Sequence, residues 1–178
     1  PGGNTISAAE HTMALMLAMC RHIAPASAKL KAGEWDKKSF MGVQLNNKVL
    51  GIIGLGRIGM AVAKMSTGFN MKILGYDPIA TPPDAEKLGI EITDNLERIF
   101  READFITVHV PKNDKTLNMI DAEQLKMMKP TARIINCARG GIINEDALYD
   151  ALENKTIAAA ALDVFTEEPP VHNKRYEK

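Results

Sequence analysis

VLGIIGLGRIG, residues 49–59, is the stretch of sequence that decides the fold of this chain. Its first five residues form a continuous apolar run, which is typical of a β-strand that is covered on both faces. The glycines that follow have the spacing G-x-G-x-x-G, and residues 58–69 have the pattern of a helix. A strand, a glycine loop and a helix in this order are typical of a dinucleotide-binding turn.

Each glycine of this loop has a separate task. Gly54 permits the tight turn, Gly56 lets a pyrophosphate approach the backbone, and Gly59 lets the helix pack closely on the strand. The backbone amides of Arg57 and Ile58 are expected to face the phosphates at the helix N-terminus, where the helix dipole favours negative charge. The Arg57 side chain can add direct positive charge.

Asp77 supplies the acid that a dinucleotide site needs. It ends the next predicted strand, residues 72–76, and it follows the glycines at close to the usual spacing of about 20 residues. A carboxylate at this position can bind both hydroxyls of the adenosine ribose and would repel a 2′-phosphate, so NAD is predicted rather than NADP. The alternative is a structural βα turn in which Asp77 only caps a loop. The complete order of strand, glycines, helix and acid favours the cofactor site.

The rest of the chain alternates strands with helices. This pattern predicts an α/β fold of the Rossmann type, a doubly wound and mainly parallel sheet with helices on both faces. A long N-terminal helix, residues 7–31, precedes the sheet, and Pro25 is expected to kink or interrupt it. Further strands are predicted at 72–76, 105–110, 133–136 and 158–162, and further helices at 96–101, 121–128 and 145–153. We expect one domain over residues 1–178, with the helix and a connector at 1–47, a Rossmann core at 48–163 and an irregular tail at 164–178.

Composition and charge restrict the class of protein. The 22 Lys and Arg residues balance the 22 Asp and Glu residues, so no net field favours nucleic acid or an anionic membrane. The longest apolar run, residues 13–20, is too short to span a bilayer, and no secretory signal is visible. Cys20 and Cys137 fit no metal-ligand spacing and are expected to be free thiols. These features predict a cytoplasmic protein without a metal site.

Five motifs together resemble the D-isomer-specific 2-hydroxyacid dehydrogenases. They are GIIGLGRIG (51–59), GYDP (75–78), FITVHVP (105–111), INCARGG (135–141) and LDVFTEEPP (162–170), in the order typical of that family. The stretch WDKKSFMG (35–42), together with NCARGG and DVFTEEPP, is most similar to members that act on a phosphorylated 2-hydroxy acid. The resemblance covers nearly the whole chain. It implies an NAD-dependent oxidoreductase with a small-molecule substrate.

The resemblance implies two catalytic residues. Arg139 matches the arginine that binds the carboxylate of the 2-hydroxy acid, and a guanidinium suits this task because it forks two hydrogen bonds to a carboxylate. Gly140 and Gly141 are expected to leave room for substrate beside it. Glu168 matches the acid that orients the catalytic histidine and raises its pKa. The alternatives are a surface arginine that caps strand-end carbonyls and a solvated loop carboxylate.

Further positions are implied to contact the cofactor. Asp163 matches an acid near the nicotinamide carboxamide, with a strand-end cap as the alternative. Cys137 and Ala138 match positions that line the nicotinamide side, and Arg139 is expected to contact the cofactor as well as the substrate. Val110 occupies a cofactor-contacting position where relatives carry threonine, so only apolar or backbone contact is expected from it.

The catalytic histidine of the family follows the E-E-P motif in a Pro-His pair, and this sequence contains no such pair. His172 is expected to be a tail residue, His11 and His22 to be packing or surface residues, and His109 to be structural beside the cofactor. Family members insert the dinucleotide lobe between two halves of a substrate lobe. The resemblance therefore implies a fragment that contains the inserted lobe, lacks the substrate lobe and is inactive alone.

Two other interpretations remain open. The first is another 2-hydroxyacid dehydrogenase, such as a glyoxylate or hydroxypyruvate reductase, which differs in how the substrate lobe recognises phosphate. The second is a non-catalytic NAD-responsive binding protein, like the transcriptional co-repressors built on this fold, which WDKKSFMG and FTEEPP make less favoured. Family members pair through this lobe, and the N-terminal helix carries more apolar residues than one sheet face needs. A homodimer is therefore expected.

Overall fold

The computed structural model describes residues 3–79 and 82–170. The helices and strands are α1 (Thr5–Arg21), α2 (Ile23–Lys31), β1 (Val49–Ile53), α3 (Arg57–Thr67), β2 (Lys72–Tyr76), a 3-10 turn (Glu86–Leu88), β3 (Ile90–Ile92), α4 (Leu96–Glu102), β4 (Phe105–Val108), α5 (Ala122–Met127), β5 (Arg133–Asn136), α6 (Glu145–Glu153) and β6 (Ala159–Leu162). Within these residues, six parallel strands form one sheet in the order β3-β2-β1-β4-β5-β6. The predicted Rossmann-type sheet is confirmed. Its strand order reverses between β1 and β4, where such sheets bind ligands outside the carboxyl ends of the strands.

Helices cover both faces of the sheet, and alternate strand residues pack against the two layers. In β4, Phe105 packs with α1 and α3, whereas Ile106 packs with α4, α5 and α6. In β5, Ile135 packs with α1 and α3, and Ile134 packs with α4, α5 and α6. Burial of each such side chain contributes about 1.5–3 kcal/mol. Packing on both faces explains why the strands have apolar runs instead of alternating polar residues.

The N-terminal helix predicted over residues 7–31 is interrupted, as expected, so that the segment contains two helices. α1 ends at Arg21, and His22 adopts a left-handed conformation with a φ of 53° before α2 begins. The interruption expected from Pro25 therefore occurs upstream of the proline. A proline ring clashes with the carbonyl of the residue four positions earlier, which here is Arg21. Pro25 itself lies in the first turn of α2. The N–H groups of a first turn have no acceptor within the helix, so α2 loses no hydrogen bond at the proline.

The sequence did not predict the edge strand β3. This strand has only three residues and pairs in parallel with β2, with Ile90 opposite Ile73. Three residues are too few for an alternation to be recognised, and the nearby prolines indicate a loop. Smaller differences concern element ends. β4 ends at Val108, while residues 105–110 were predicted as strand, and α3 ends at Thr67.

The connector between α2 and β1 consists of turns and loops that run back along α1. Val43 donates its N–H to the carbonyl of Cys20 at 3.0 Å, and Lys29 pairs with Asp36 at 2.8 Å. Cys20 is buried and Cys137 is partly buried, and both are free. In the part of the chain that the structure describes, no helix has the length and apolar character needed to cross a bilayer. No group of three or more His, Cys, Asp or Glu in that part could hold a metal ion.

Candidate functional site

The glycine loop leads directly from the end of β1 into α3. Gly54 has a φ of 96°, and a side chain on it would lie 2.7 Å from the backbone carbonyl of His109. A side chain on Gly59 would collide with the carbonyl oxygen of Gly54. α3 can therefore approach β1 this closely only because Gly59 has no side chain. Both glycines are required by the packing of the protein itself.

Gly56 differs from its neighbours because it leaves open space. A Cβ built on it would meet no atom within 4 Å, and its φ of −66° is accessible to any residue. Gly56 is also the N-cap of α3. The first amides of a helix have no intrahelical acceptor, so an anion beside Gly56 would bind these amides at the positive end of the helix dipole. The loop therefore fits a phosphate or pyrophosphate group.

Asp77 lies against the glycine loop at the carboxyl end of β2. Its Oδ2 accepts the N–H of Leu55 at 2.7 Å, and its Oδ1 accepts the N–H of Ile79 at 2.8 Å. Gly54 also donates to the carbonyl of Tyr76 at 2.8 Å, which ties the loop to the strand end. Each carboxylate oxygen can accept more than one hydrogen bond. Asp77 can therefore hold the loop and still accept from the hydroxyls of a ribose.

A cavity of about 660 Å³ opens at the carboxyl ends of β2 and β4. Its walls include Tyr76, Ile79, Leu96, Val110 and Met119. Apolar walls next to an acid suit a flat adenine ring that is followed by a ribose. Val110 is only 4% exposed, and its side chain offers aliphatic surface alone, which is the type of contact expected of it.

Arg139 stands at the carboxyl end of β5 in a loop that Asn136 shapes. The buried side chain of Asn136 accepts the N–H of Ala138 at 3.0 Å and donates to the carbonyl of Arg139 at 3.0 Å. Arg139 itself is exposed, and one of its Nη atoms donates to the carbonyl of Ala138 at 2.6 Å. A guanidinium carries five N–H donors. The loop can therefore present a cation to a carboxylate at the ligand edge of the sheet.

The segment after β6 packs onto the loop that follows β5. A side chain on Gly140 would collide with the backbone carbonyl of Phe165. Thr166 donates its N–H and its hydroxyl to Oε1 of Glu145 at 2.6 and 2.8 Å. Phe165 donates its N–H to Oε1 of Glu168 at 3.0 Å. Glu168 is thus linked through Phe165 to the loop of Arg139.

These contacts correct the expectation that Gly140 and Gly141 leave room for substrate. The space beside Gly140 is filled by the protein's own segment around Phe165. Gly141 has a φ of 83°, a conformation that favours glycine, and the Nζ of Lys112 lies 3.0 Å from the position of a built Cβ. Both glycines are therefore explained by the fold of the loop.

The N-terminal helix α1 completes this edge beside β5 and β6. Asp163 donates its N–H to the carbonyl of Asn136 at 3.0 Å, and its Oδ1 lies 3.2 Å from Nε2 of His11. Burial raises the pKa of the Cys137 thiol, a hydrogen bond with Thr12 opposes the rise, and the charge of Asp163 adds to it. The pairing of His11 with Asp163 was missed because the two residues lie at opposite ends of the sequence. No local pattern reveals such a contact.

His109 follows β4 on the inner side of the glycine loop. Its Nε2 lies 3.0 Å from the hydroxyl of Thr107, and burial lowers the pKa of its ring to about 4. His109 is therefore neutral at neutral pH, which supports the structural role predicted for it. His22 forms the junction between α1 and α2. His172 lies outside the described residues.

Comparison with known proteins identifies relatives along almost the whole chain. The family model of the D-isomer specific 2-hydroxyacid dehydrogenase, NAD binding domain, matches residues 13–177. The chain is 53% identical over 173 residues to a D-3-phosphoglycerate dehydrogenase of Methanocaldococcus jannaschii, which covers 97% of the chain and 33% of that protein. It is 46% identical over 174 residues to a D-3-phosphoglycerate dehydrogenase of Bacillus subtilis, covering 98% of the chain and 33% of that protein. The chain spans about a third of the length of these curated relatives.

Solved structures share the fold. The pyruvate reductase of Chlamydomonas reinhardtii is 35% identical with a TM-score of 0.88, over 92% of this chain and 48% of that one. The D-lactate dehydrogenase with NAD⁺ from Lactobacillus jensenii is 33% identical with a TM-score of 0.84, over 94% of this chain and 50% of that one. The family match, the strand order and the glycine loop agree. The chain belongs to the D-isomer specific 2-hydroxyacid dehydrogenase family and corresponds to its NAD-binding domain.

Proposed function

We propose that the chain is the NAD-binding domain of a D-3-phosphoglycerate dehydrogenase, which oxidises 3-phosphoglycerate to 3-phosphohydroxypyruvate at the start of serine biosynthesis. The observation that carries this proposal is the level of identity. Two relatives of that name are 53% and 46% identical over nearly the whole chain. The two solved structures named for pyruvate and lactate are 35% and 33% identical.

The cofactor side of the proposal rests on the glycine loop and β2. The amides of Arg57 and Ile58 bind the pyrophosphate beside Gly56, and Asp77 accepts from the ribose hydroxyls. The cavity beside Val110 takes the adenine. Bound NAD supplies a hydride acceptor in its nicotinamide ring.

The nicotinamide and substrate side rests on the loops after β5 and β6. Arg139 binds the carboxylate of the 2-hydroxy acid, and this orients the carbon that bears the hydroxyl. Cys137 and Ala138 line the nicotinamide side, and Asp163 accepts from the carboxamide N–H. Glu168 orients the base that removes the hydroxyl proton; one of its oxygens is held by Phe165, which leaves the other to accept from that base.

We also propose a homodimer that forms through α2 and the connector. Large apolar side chains are exposed on this part of the chain: Ile23 at 56%, Leu30 at 59%, Trp35 at 81% and Met41 at 82%. Several large apolar side chains exposed on one segment of a chain are a feature of protein–protein interaction sites. A monomeric mass by light scattering at high micromolar concentration would contradict the dimer. The free cysteines favour a reducing compartment, and we propose the cytoplasm.

The test of the enzymatic function uses the complete gene product. NADH absorbance is followed with 3-phosphoglycerate, D-glycerate and D-lactate in parallel, and kcat/KM should be highest for 3-phosphoglycerate. A higher value for an unphosphorylated acid would instead support another 2-hydroxyacid dehydrogenase. Binding of NAD without turnover of any of these acids would support a co-repressor-like protein. Arg139→Ala is the matched variant, and it should lose turnover while it retains NAD binding.

A further inference from the structure

We propose that His11 is a positioning residue that holds the carboxylate of Asp163 in the orientation that binds the nicotinamide carboxamide. The inference rests on the cofactor role proposed above for Asp163. It extends the cofactor site from the sheet to the N-terminal helix α1.

The packing of α1 places His11 at the ligand edge of the sheet. Thr12, Met13 and Met16 are buried, and Cys137 at the end of β5 packs against the same apolar cluster as Met13 and Met16. His11 precedes Thr12, and its Nε2 lies 3.2 Å from Oδ1 of Asp163. The imidazole therefore lies at ion-pair distance from this oxygen.

The exposure of the pair leaves the carboxylate accessible. The side chains of His11 and Asp163 are 46% and 51% exposed, so a ligand can reach Asp163 while Oδ1 is held by the imidazole. Oδ2 is then available to accept an amide N–H. Oδ1 then contacts His11 and Oδ2 accepts from the ligand. Such a carboxylate binds a carboxamide more tightly than a group without N–H donors.

Asp163 needs such support because the surrounding backbone fixes little of its side chain. Its N–H is bonded to the carbonyl of Asn136, and this bond sets the backbone but leaves the side-chain torsions free. A freely rotating carboxylate would lose this freedom when the cofactor binds, which costs affinity. His11 removes part of that cost before binding.

The competing explanation is that His11 only anchors α1 to β6. The buried residues of α1 hold the helix on the sheet independently of His11. An ion pair or hydrogen bond between exposed side chains contributes little to stability. Removal of His11 should therefore leave the fold intact, and its effect on the cofactor can be measured separately.

The experiment compares three ligands by calorimetric titration of the 178-residue chain. NAD carries the carboxamide, 3-acetylpyridine adenine dinucleotide lacks the amide N–H, and ADP-ribose lacks the nicotinamide ring. His11→Ala should weaken NAD binding roughly three- to tenfold, the effect of one lost polar contact. Binding of the other two ligands should stay within a factor of about two. His11→Gln, which keeps an N–H donor, should recover most of the NAD affinity.

Two controls complete the design. Glu10→Ala alters an exposed neighbour on α1 and should leave all three affinities unchanged. In an Asp163→Ala background, His11→Ala should cause no further loss of NAD affinity, because the two residues act through one contact.

Three outcomes would overturn the inference. If His11→Ala weakens NAD and ADP-ribose equally, His11 acts through the placement of α1. If Asp163→Ala weakens NAD but His11→Ala does not, the inference fails while the assigned role of Asp163 stands. If neither variant affects NAD, the role of Asp163 in the proposed function fails as well.

Discussion

The carboxylate of Asp77 accepts the backbone N–H of Leu55 at 2.7 Å and so joins the end of β2 to the middle of the glycine loop. The same carboxylate is proposed to accept from the adenosine ribose. The acid fixes the glycine loop, and we propose that it also recognises the sugar. A change at Asp77 should affect both parts of the cofactor.

Asp77→Ala should weaken NAD binding by about 1–3 kcal/mol, because the ribose hydroxyls and the Leu55 amide lose a charged acceptor. Asp77→Asn is the matched variant, since its amide oxygen can still accept from Leu55. It should lose less affinity than Asp77→Ala. Calorimetric titration with NAD measures both. Unchanged NAD affinity in Asp77→Ala would show that the ribose is bound elsewhere.

Gly56→Ala and Gly59→Ala should affect different properties. Gly59→Ala should lower the stability of the fold, and Gly56→Ala should lower the affinity for NAD. A Cβ on Gly59 collides with the Gly54 carbonyl, so Gly59→Ala should lower the free energy of unfolding by about 1–3 kcal/mol. A Cβ on Gly56 meets no protein atom, so Gly56→Ala should unfold as the wild type does. It should nevertheless weaken NAD binding, because the methyl group occupies space meant for phosphate. Urea unfolding and NAD titration of both variants test these expectations. If Gly56→Ala lost stability and Gly59→Ala did not, the roles assigned to the two glycines would be contradicted.

Arg139→Lys should lower kcat/KM of the complete enzyme on the order of 10- to 100-fold, because a lysine cannot form the two-pronged bond to a carboxylate. The affinity for NAD should change little. Arg101→Lys on the exposed side of α4 is the matched control and should retain full activity. Steady-state NADH formation with 3-phosphoglycerate measures the effect. A loss of NAD affinity that matches the loss of kcat/KM would assign Arg139 to the cofactor instead of the substrate.

His109 should make the protein less stable as the pH falls from 7 to 5. Burial lowers the pKa of its ring from 6.5 to about 4 in the folded state. Between these values the unfolded chain binds a proton that the folded chain does not, so the free energy of unfolding decreases as the pH falls. The expected contribution is about 2 kcal/mol between pH 7 and pH 5. Urea unfolding of the wild type and of His109→Gln at both pH values measures it, and equal losses in the two proteins would exclude His109 as the cause.

Much of the fold could be predicted because its signals are local. The apolar run of β1, the glycine spacing and the position of Asp77 each depend on a few consecutive residues. The structure brings these parts together as the pattern predicts, with the Asp77 carboxylate on the Leu55 amide. The contacts that were missed depend on distant residues. His11 meets Asp163 only after the sheet has formed, and Gly140 is glycine because Phe165 packs onto it.

The shortest strand and the exact position of the helix break could not be predicted from the sequence. β3 has too few residues for its period to be recognised. The break between α1 and α2 falls at His22, a residue without any turn signal, because the clash of Pro25 acts on the carbonyl of Arg21 one turn earlier. The break therefore has a steric cause that lies outside His22, the residue that adopts the left-handed conformation.

Cofactor selectivity is tested by calorimetric titration of the 178-residue chain with NAD and with NADP. We propose that the Asp77 carboxylate lies at the ribose position, where it would accept hydrogen bonds from two hydroxyls and repel a 2′-phosphate. We expect NAD to bind more tightly than NADP and Asp77→Ala to reduce this difference. NADP binding that is equal to or tighter than that of NAD would contradict this expectation.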